Sequence, residues 1–508
     1  MRTRAGFTKG PSRSGWQRKG YCMMRDQTFI SIVVVAGSMA AMACGSADPA
    51  SSNSEGSLGK NASAVVRKSD GLCPMPQFYV PPPQTGAIKQ IGKLMRSWDG
   101  LGAARVEAME ATPQAVWFEG GTPSDVQKGV RETMRAAAFQ WKVPILVSYN
   151  LPFRDCAQYS AGGATDASAY QAWIDGMAKG IGRGQAVVIL EPDGLGLIPF
   201  NTTIFGVSEW CQPKVTDASG ASVPAPGADS ATRYALINYA VDSFAKNAPN
   251  ALVYLDATHS AWLGVGEAAS RLERAGVRRA RGFFLNASNY QLTSDSTQFG
   301  TWISLALATA TSAQSWAYDA NGNFHYDWLP SQYDPATNYT TVNYSADYAA
   351  TVTAGIQGFQ ATAVAGSIPF VIDTSRNAKG PLNTAPYAAA PYLQPASVVT
   401  ALNSGNWCNP PGAGLGLRPT AHTGVALVDA YVWIKTPGES DGSCNAAGGA
   451  RGWDYTVYNP WKVADADQAN FDPLWGMVDP AAGAWFEEQT LQLVKNADPP
   501  ILGNMRHR

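Results

Sequence analysis

Two carboxylic acids bracket a proline in Leu190-Glu191-Pro192-Asp193-Gly194, directly after the apolar run Ala186–Leu190. Proline fixes its own backbone torsion, so the two acids are held in a set relation where a buried strand would end. Acid–base hydrolysis needs one carboxyl kept protonated to hand a proton to a leaving oxygen, and a second carboxylate to take a proton from water. A turn or a helix N-cap uses the same residue types, and on these residues alone that structural reading of Asp193 stands beside the chemical one. Other polar groups follow further apolar runs: Asp155 after 144–147, Asp256 and His259 after 251–255, and Asn286 and Asn289 after Gly282–Leu285. Asp373 and Arg376 follow 370–372, and Lys435, Glu439 and Asp441 follow 425–434.

Those groups need a scaffold that brings distant residues together. The runs are short and continuously apolar, as in parallel strands buried on both faces. Helical patterns separate several of them, such as 124–140, with Val126, Val130 and Met134 on one face, and 231–245. In β/α barrels the strand C-termini converge on one cleft, so polar residues arriving after each run predict an α/β, single-domain distorted β/α barrel. An open doubly wound sheet is the alternative. Segments 311–344 and 445–480, rich in Gly, Asn, Asp and aromatics without periodicity, are expected to be surface loops.

Composition narrows the partners. The formal net charge is −1 with 15% charged residues, which excludes an electrostatic footprint for nucleic acid. The 16 Trp and 20 Tyr offer flat rings that stack on sugar C–H faces, although core burial accounts for most of them. Four histidines, at 259, 325, 422 and 507, show no metal-ligand spacing and no cysteines form C-x-x-C, so neither a metal nor another cofactor is expected. Gly438-Glu439-Ser440-Asp441-Gly442 matches G-x-S-x-G, but a loop-like stretch follows where a nucleophile elbow needs a helix.

Basic residues through Arg25 precede the apolar run 29–43, which is too short to span a bilayer and reads as an export signal, with Met23 or Met24 at a usual distance for its start. Ala41-Met42-Ala43-Cys44 resembles a bacterial lipoprotein processing site, so the protein is expected to be secreted or lipid-anchored through Cys44 at the cell surface. The expected organisation is therefore an export segment 1–44, a flexible linker 45–76 and a catalytic domain 77–508. Export makes Cys156, Cys211, Cys408 and Cys444 disulfide candidates and leaves Cys73 over.

Leu190-Glu191-Pro192-Asp193-Gly194-Leu195-Gly196 resembles the E-P-D signature of glycoside hydrolase family 6, the inverting cellulases. Val147-Ser148-Tyr149-Asn150-Leu151-Pro152-Phe153-Arg154-Asp155-Cys156 resembles that family's V-x-Y-x-x-P-x-R-D-C pattern, and the likeness continues to about residue 500. The resemblance implies that Asp193 is the proton donor, that Asp155 keeps its pKa high, and that Tyr149 sits beside a distorted sugar. It implies Asp441 as base or electrostatic partner and Asp256 as a further cleft carboxylate. His259, Trp262, Asn289, Lys435 and Glu439 would bind sugar, although Asn289, like Arg376, could instead organise loops. Trp117 and Trp407 would form platforms, and the disulfides would be Cys156–Cys211 and Cys408–Cys444. The implied partner is a β-1,4-glucan, bound by a monomer. Chain-end cellobiohydrolases of that family carry a longer loop where this sequence runs from Cys156 to Tyr170, so the resemblance implies an open cleft and an endoglucanase, with a chain-end cellobiohydrolase or a non-catalytic glucan-binding protein as alternatives. Pulling the other way, 445–480 with Trp453, Trp461 and Trp475 is long enough to cover a site.

Overall fold

The computed structural model describes residues 77–312, 326, 329, 331–334, 367–445 and 451–503. The export segment with Cys44, the linker with Cys73, and most of 311–344 lie outside the described residues. Among the described residues no helix is long and apolar enough to cross a membrane. The described residues form nine strands in chain order: β1 (Val116–Phe118), β2 (Ile145–Ser148), β3 (Ala186–Leu190), β4 (Lys214–Thr216), β5 (Ser222–Pro224), β6 (Ala251–Asp256), β7 (Gly282–Leu285), β8 (Phe370–Asp373) and β9 (Val428–Val432).

Seven of them form one parallel sheet in the order β1-β2-β3-β6-β7-β8-β9. The sheet curls until its two ends meet. Ala115 N donates to Trp433 O at 2.9 Å, and the Trp117 indole N–H donates to Ile434 O at 2.8 Å. This is the expected distorted barrel, because a doubly wound sheet would leave its outer strands far apart. Side chains alternate along each strand with the period of two that a pleated backbone imposes. Leu146, Val188, Leu190, Leu255, Phe283, Leu285 and Ile372 share one core with Tyr170, Trp173, Ile237 and Phe244 from flanking helices. Ile145, Val147, Val187, Ile189, Phe284, Val371 and Val432 share the other, within the curl. Both faces are therefore dry, which is why the strands read as unbroken apolar runs.

The helix expected over 124–140 spans Pro123–Phe139, opened by a capping box between Thr122 and Asp125 with proline in the first turn. The helix expected over 231–245 is Ser230–Asn247, capped by Asp229. Strands β3 and β7 have the expected limits. The run 425–434 yields only Val428–Val432, because Leu427 sits at φ 66° and cannot continue an extended chain. Sequence reading missed β1, which is three residues long, and the exposed hairpin β4–β5.

Segment 445–480 departs from expectation. Its described part is a satellite core: Trp453 and Tyr455 are buried with Val398 and Leu402, and Tyr458, Trp461 and Phe471 pack around them. Aromatic edge-to-face contacts, such as Trp453–Trp461 at 6.3 Å between ring centroids, hold it together. Such packing follows no helical or strand period, so it looks like loop in sequence.

Candidate active site

At the end of β3 the chain turns sharply, with Glu191 at φ 55° and Asp193 at φ 61°, a region that side chains other than glycine rarely occupy. The two acids then part company. Glu191 is buried and accepts from Ser148 Oγ at 2.7 Å and from the backbone N of Asn150 and Leu151 at 2.8 and 2.9 Å. It is the clamp that binds the exit of β2 to the exit of β3. Asp193 meanwhile faces a cavity of about 610 Å³, together with Asp155, Asp441, His259, Trp262, Asn289 and Trp407. Seven of the residues singled out by sequence thus line one space.

Asp193 stays partly open to that space, yet the walls strip most water from it. This desolvation comes first, then the charges of Asp155, Asp256 and Asp441, and together they hold its pKa well above the usual carboxylate range. The Lys435 ammonium opposes them. Asp155, in the turn after β2 at φ 54°, accepts from the Tyr149 hydroxyl at 2.5 Å. Burial raises its pKa, against the Tyr149 hydrogen bond and the nearby Arg154. Arg154 makes no direct ion pair with it. The guanidinium donates instead to the carbonyls of Glu119 at 2.8 Å, Ser160 at 3.1 Å and Tyr149.

Asp256 lies beneath the cavity and does not line it. Its oxygens accept from the backbone N of Leu195, Gly196 and Thr258 at 3.1, 3.2 and 2.9 Å, fixing the turn after Asp193, and burial pushes its pKa up to about 6. Trp262 packs on that turn: a Cβ at Gly196 would come within 2.6 Å of the indole. His259 tilts against Trp262 with ring centroids 5.7 Å apart, and desolvation lowers the imidazole to about 4, so it is neutral at pH 7.

Across the cleft, Asp441 is held on every side. Arg376 grips both of its oxygens at 2.9 Å, and the Tyr290 hydroxyl and Asn409 N each donate to Oδ2 at 3.0 Å. Lys435 Nζ stands 3.9 Å from Oδ1. Oδ2 therefore carries three donors, whereas Oδ1 meets only the Arg376 guanidinium and, farther off, the Lys435 ammonium. From sequence Arg376 is one of the strand-end polar groups, with loop organisation as the alternative; in the fold its buried guanidinium is paired with Asp441. Tyr290 and Asn409 were missed, since nothing local marks their contacts with residues 151 and 32 positions away.

Trp117 and Glu439 line a second cavity of about 350 Å³, with Glu110 and Glu119. Tyr149 stands between the two spaces, edge-on to Trp117 at 5.2 Å and bonded to Asp155. Disulfides Cys156–Cys211 and Cys408–Cys444 form as expected, beside Asp155 and near Asp441 respectively. The described part of 445–480 lines neither cavity; it backs the wall, where Trp475 Nε1 donates to Asn409 O at 2.6 Å.

A cluster of desolvated acids thus lies between aromatic walls at the C-terminal rim of a curled parallel sheet, where β/α barrels gather their active sites. The chain belongs to the glycosyl hydrolases family 6, whose family model matches residues 74–497. It is 29% identical to Endoglucanase A of Cellulomonas fimi over 84% of this chain, spanning 62% of that protein's length. Endoglucanase 1 of Streptomyces halstedii is 32% identical, with 69% of this chain and 78% of that protein covered. Relatives named cellobiohydrolases also match. Among solved structures, the endoglucanase Cel6 from Mycobacterium tuberculosis, in complex with a thio-linked cellobiosyl cellobioside, aligns with TM-score 0.51 and 27% identity over 84% of this chain and 99% of that one.

Proposed function

We propose that this protein hydrolyses internal β-1,4-glucosidic bonds of cellulose or a related glucan with inversion of configuration. The observation that carries this reading is the placing of Asp193 beside Asp155 and Asp441 in a cleft walled by Trp262 and Trp407, where desolvation and the neighbouring acids raise its pKa. Asp193 protonates the leaving glucosyl oxygen, and water attacks the opposite face of the sugar. Asp155 is the charge that keeps the proton on Asp193, and Tyr149 sits beside the scissile sugar. With Asp441 paired to Arg376 and its Oδ2 also held by Tyr290 and Asn409, we assign it the electrostatic stabilisation of the cationic sugar, while a water relay removes the nucleophile's proton. Trp262, Trp407 and Trp117 are sugar platforms, with His259, Asn289, Lys435 and Glu439 as polar contacts. Every one of these groups belongs to one chain, so a monomer suffices.

Endo action is supported by the cleft wall, since the described residues of 445–480 pack behind Asn409 instead of over the cavity, and by the relatives named endoglucanases. Carboxymethylcellulose viscosity is expected to collapse while few reducing ends appear. Soluble cellobiose released from the first minutes at constant viscosity would favour the chain-end cellobiohydrolase reading instead. Residues 77–508 are assigned to catalysis and 1–44 to export, with lipidation of Cys44 as the anchoring route; the two disulfides fit an oxidising compartment.

A further inference from the structure

Behind the wall that carries Asp441 lies a pair of acids that the roles above leave unused. Asp472 and Asp479 are 0% and 4% exposed. Arg451, equally buried, donates Nε to the two Asp472 oxygens at 2.9 and 3.0 Å and Nη2 to Oδ2 at 2.7 Å, so Asp472 is the member paired with the guanidinium. Asp479 Oδ2 accepts from Asn409 Nδ2 at 2.9 Å, whereas Asp479 Oδ1 is buried without a donor. A carboxylate oxygen in that state would carry its full desolvation cost, but a carboxylic O–H directed at Asp472 leaves neither group orphaned. Burial first, then the Asp472 charge, pushes Asp479 up to about 9, in keeping with that geometry. Cys444 Sγ joins the two acids in a trio whose ligand atoms lie within 4.8 Å of one another. Its sulfur is spent in the bond to Cys408 and Arg451 already neutralises Asp472, so the trio is no metal site.

Asn409 is the link outward. This fully buried side chain, at φ 37°, donates Nδ2 to Asp479, to Ser440 Oγ at 3.0 Å and to Gly442 O at 2.9 Å. Its backbone N donates to Asp441 Oδ2 at 3.0 Å, and its Oδ1 accepts from Asp441 N at 2.8 Å. One residue therefore holds both the backbone and the carboxylate of Asp441, and Asp479 is the acceptor on its far side.

We propose that Asp479, in its protonated form, is a positioning residue for Asp441, acting through Asn409. The inference rests on the reading of Asp441 as part of the active site. The charged groups facing Asp479 are Asp472 and Arg451; beyond Asn409 stand Asp441, Arg376 and Lys435. Ionising Asp479 would set two carboxylates against each other beside one guanidinium and pull on the Asn409 amide. Because Asp479 holds its proton when folded and loses it when unfolded, its contribution to stability is complete below about pH 4 and drains away as pH rises toward about 9.

The test compares Asp479→Ala and Asp479→Asn with the wild type. D479A is expected to lower kcat on cellotetraose by about ten- to a hundredfold with KM within about twofold, because substrate contacts remain while Asp441 shifts. D479N keeps an acceptor for Asn409 and a donor for Asp472, and should recover kcat to within about threefold of wild type. Its Tm should match wild type near pH 4 and exceed it increasingly toward about pH 8. Equal kcat in D479A and wild type, no recovery in D479N, or a Tm difference independent of pH would each overturn the inference. An inactive wild type would instead overturn the functional reading, which separates the two failures.

Discussion

Asp193→Asn should abolish all but a trace of glucan hydrolysis, lowering kcat by about 10³-fold, within the range that a positioned general acid supplies. The amide keeps the shape of the carboxyl but cannot give up a proton to the leaving oxygen. Binding of cello-oligosaccharides, read by calorimetry or tryptophan quenching, should stay near wild type because the aromatic walls are untouched. Stability should hold or rise. Asp193 keeps its proton to higher pH in the fold than in the unfolded chain, so the acid costs stability as pH climbs above about 4, and the neutral amide removes that cost. A purely glucan-binding protein would show no hydrolysis to lose. Activity preserved in D193N would remove Asp193 from its role.

Asp155→Asn should carry the next largest effect, about 10²-fold in kcat near neutral pH, through the proton that Asp193 keeps. Asp155 is the largest charge contribution to the raised pKa of Asp193, after desolvation. Removing it lowers that pKa. Since the acid must be protonated to work, the alkaline limb of the kcat/KM profile should then move to lower pH, and part of the lost activity should return under acidic conditions. The substitution also takes the charged acceptor from the Tyr149 hydroxyl, which loosens the ring that stands between the two cavities. An alkaline limb left where it was would mean that Asp155 does not tune the donor.

What could be read from sequence was set by how local the physics is. Strands β3 and β7 are legible because a strand dry on both faces must be apolar at every position, and the polar groups after them are legible because a parallel sheet ends every strand at the same rim. Strand β1 is not, because three residues carry no period and its place depends on β2 and on the carbonyls of Trp433 and Ile434. The Glu191–Asp193 pair shows the limit most clearly. Sequence presents two equivalent acids, and only the hydrogen bonds from Ser148, Asn150 and Leu151 reveal that one is a clamp and the other faces the cleft. Asp256 reads as a cleft acid for the same reason, but its oxygens are occupied by the turn below. Asn409 and Asp479 were invisible, being 70 residues apart and joined by a single amide hydrogen bond.

The assignment of acid, opposed water and cleft stands or falls on stereochemistry. Hydrolysis of a soluble β-1,4-glucan oligosaccharide, followed by proton NMR from the first minutes, reports the anomer released before mutarotation scrambles it. The α-anomer should appear first at the new reducing end, with the β-anomer growing only later. Initial release of the β-anomer would mean retention through a covalent intermediate, and would contradict Asp193 as the acid of an inverting displacement.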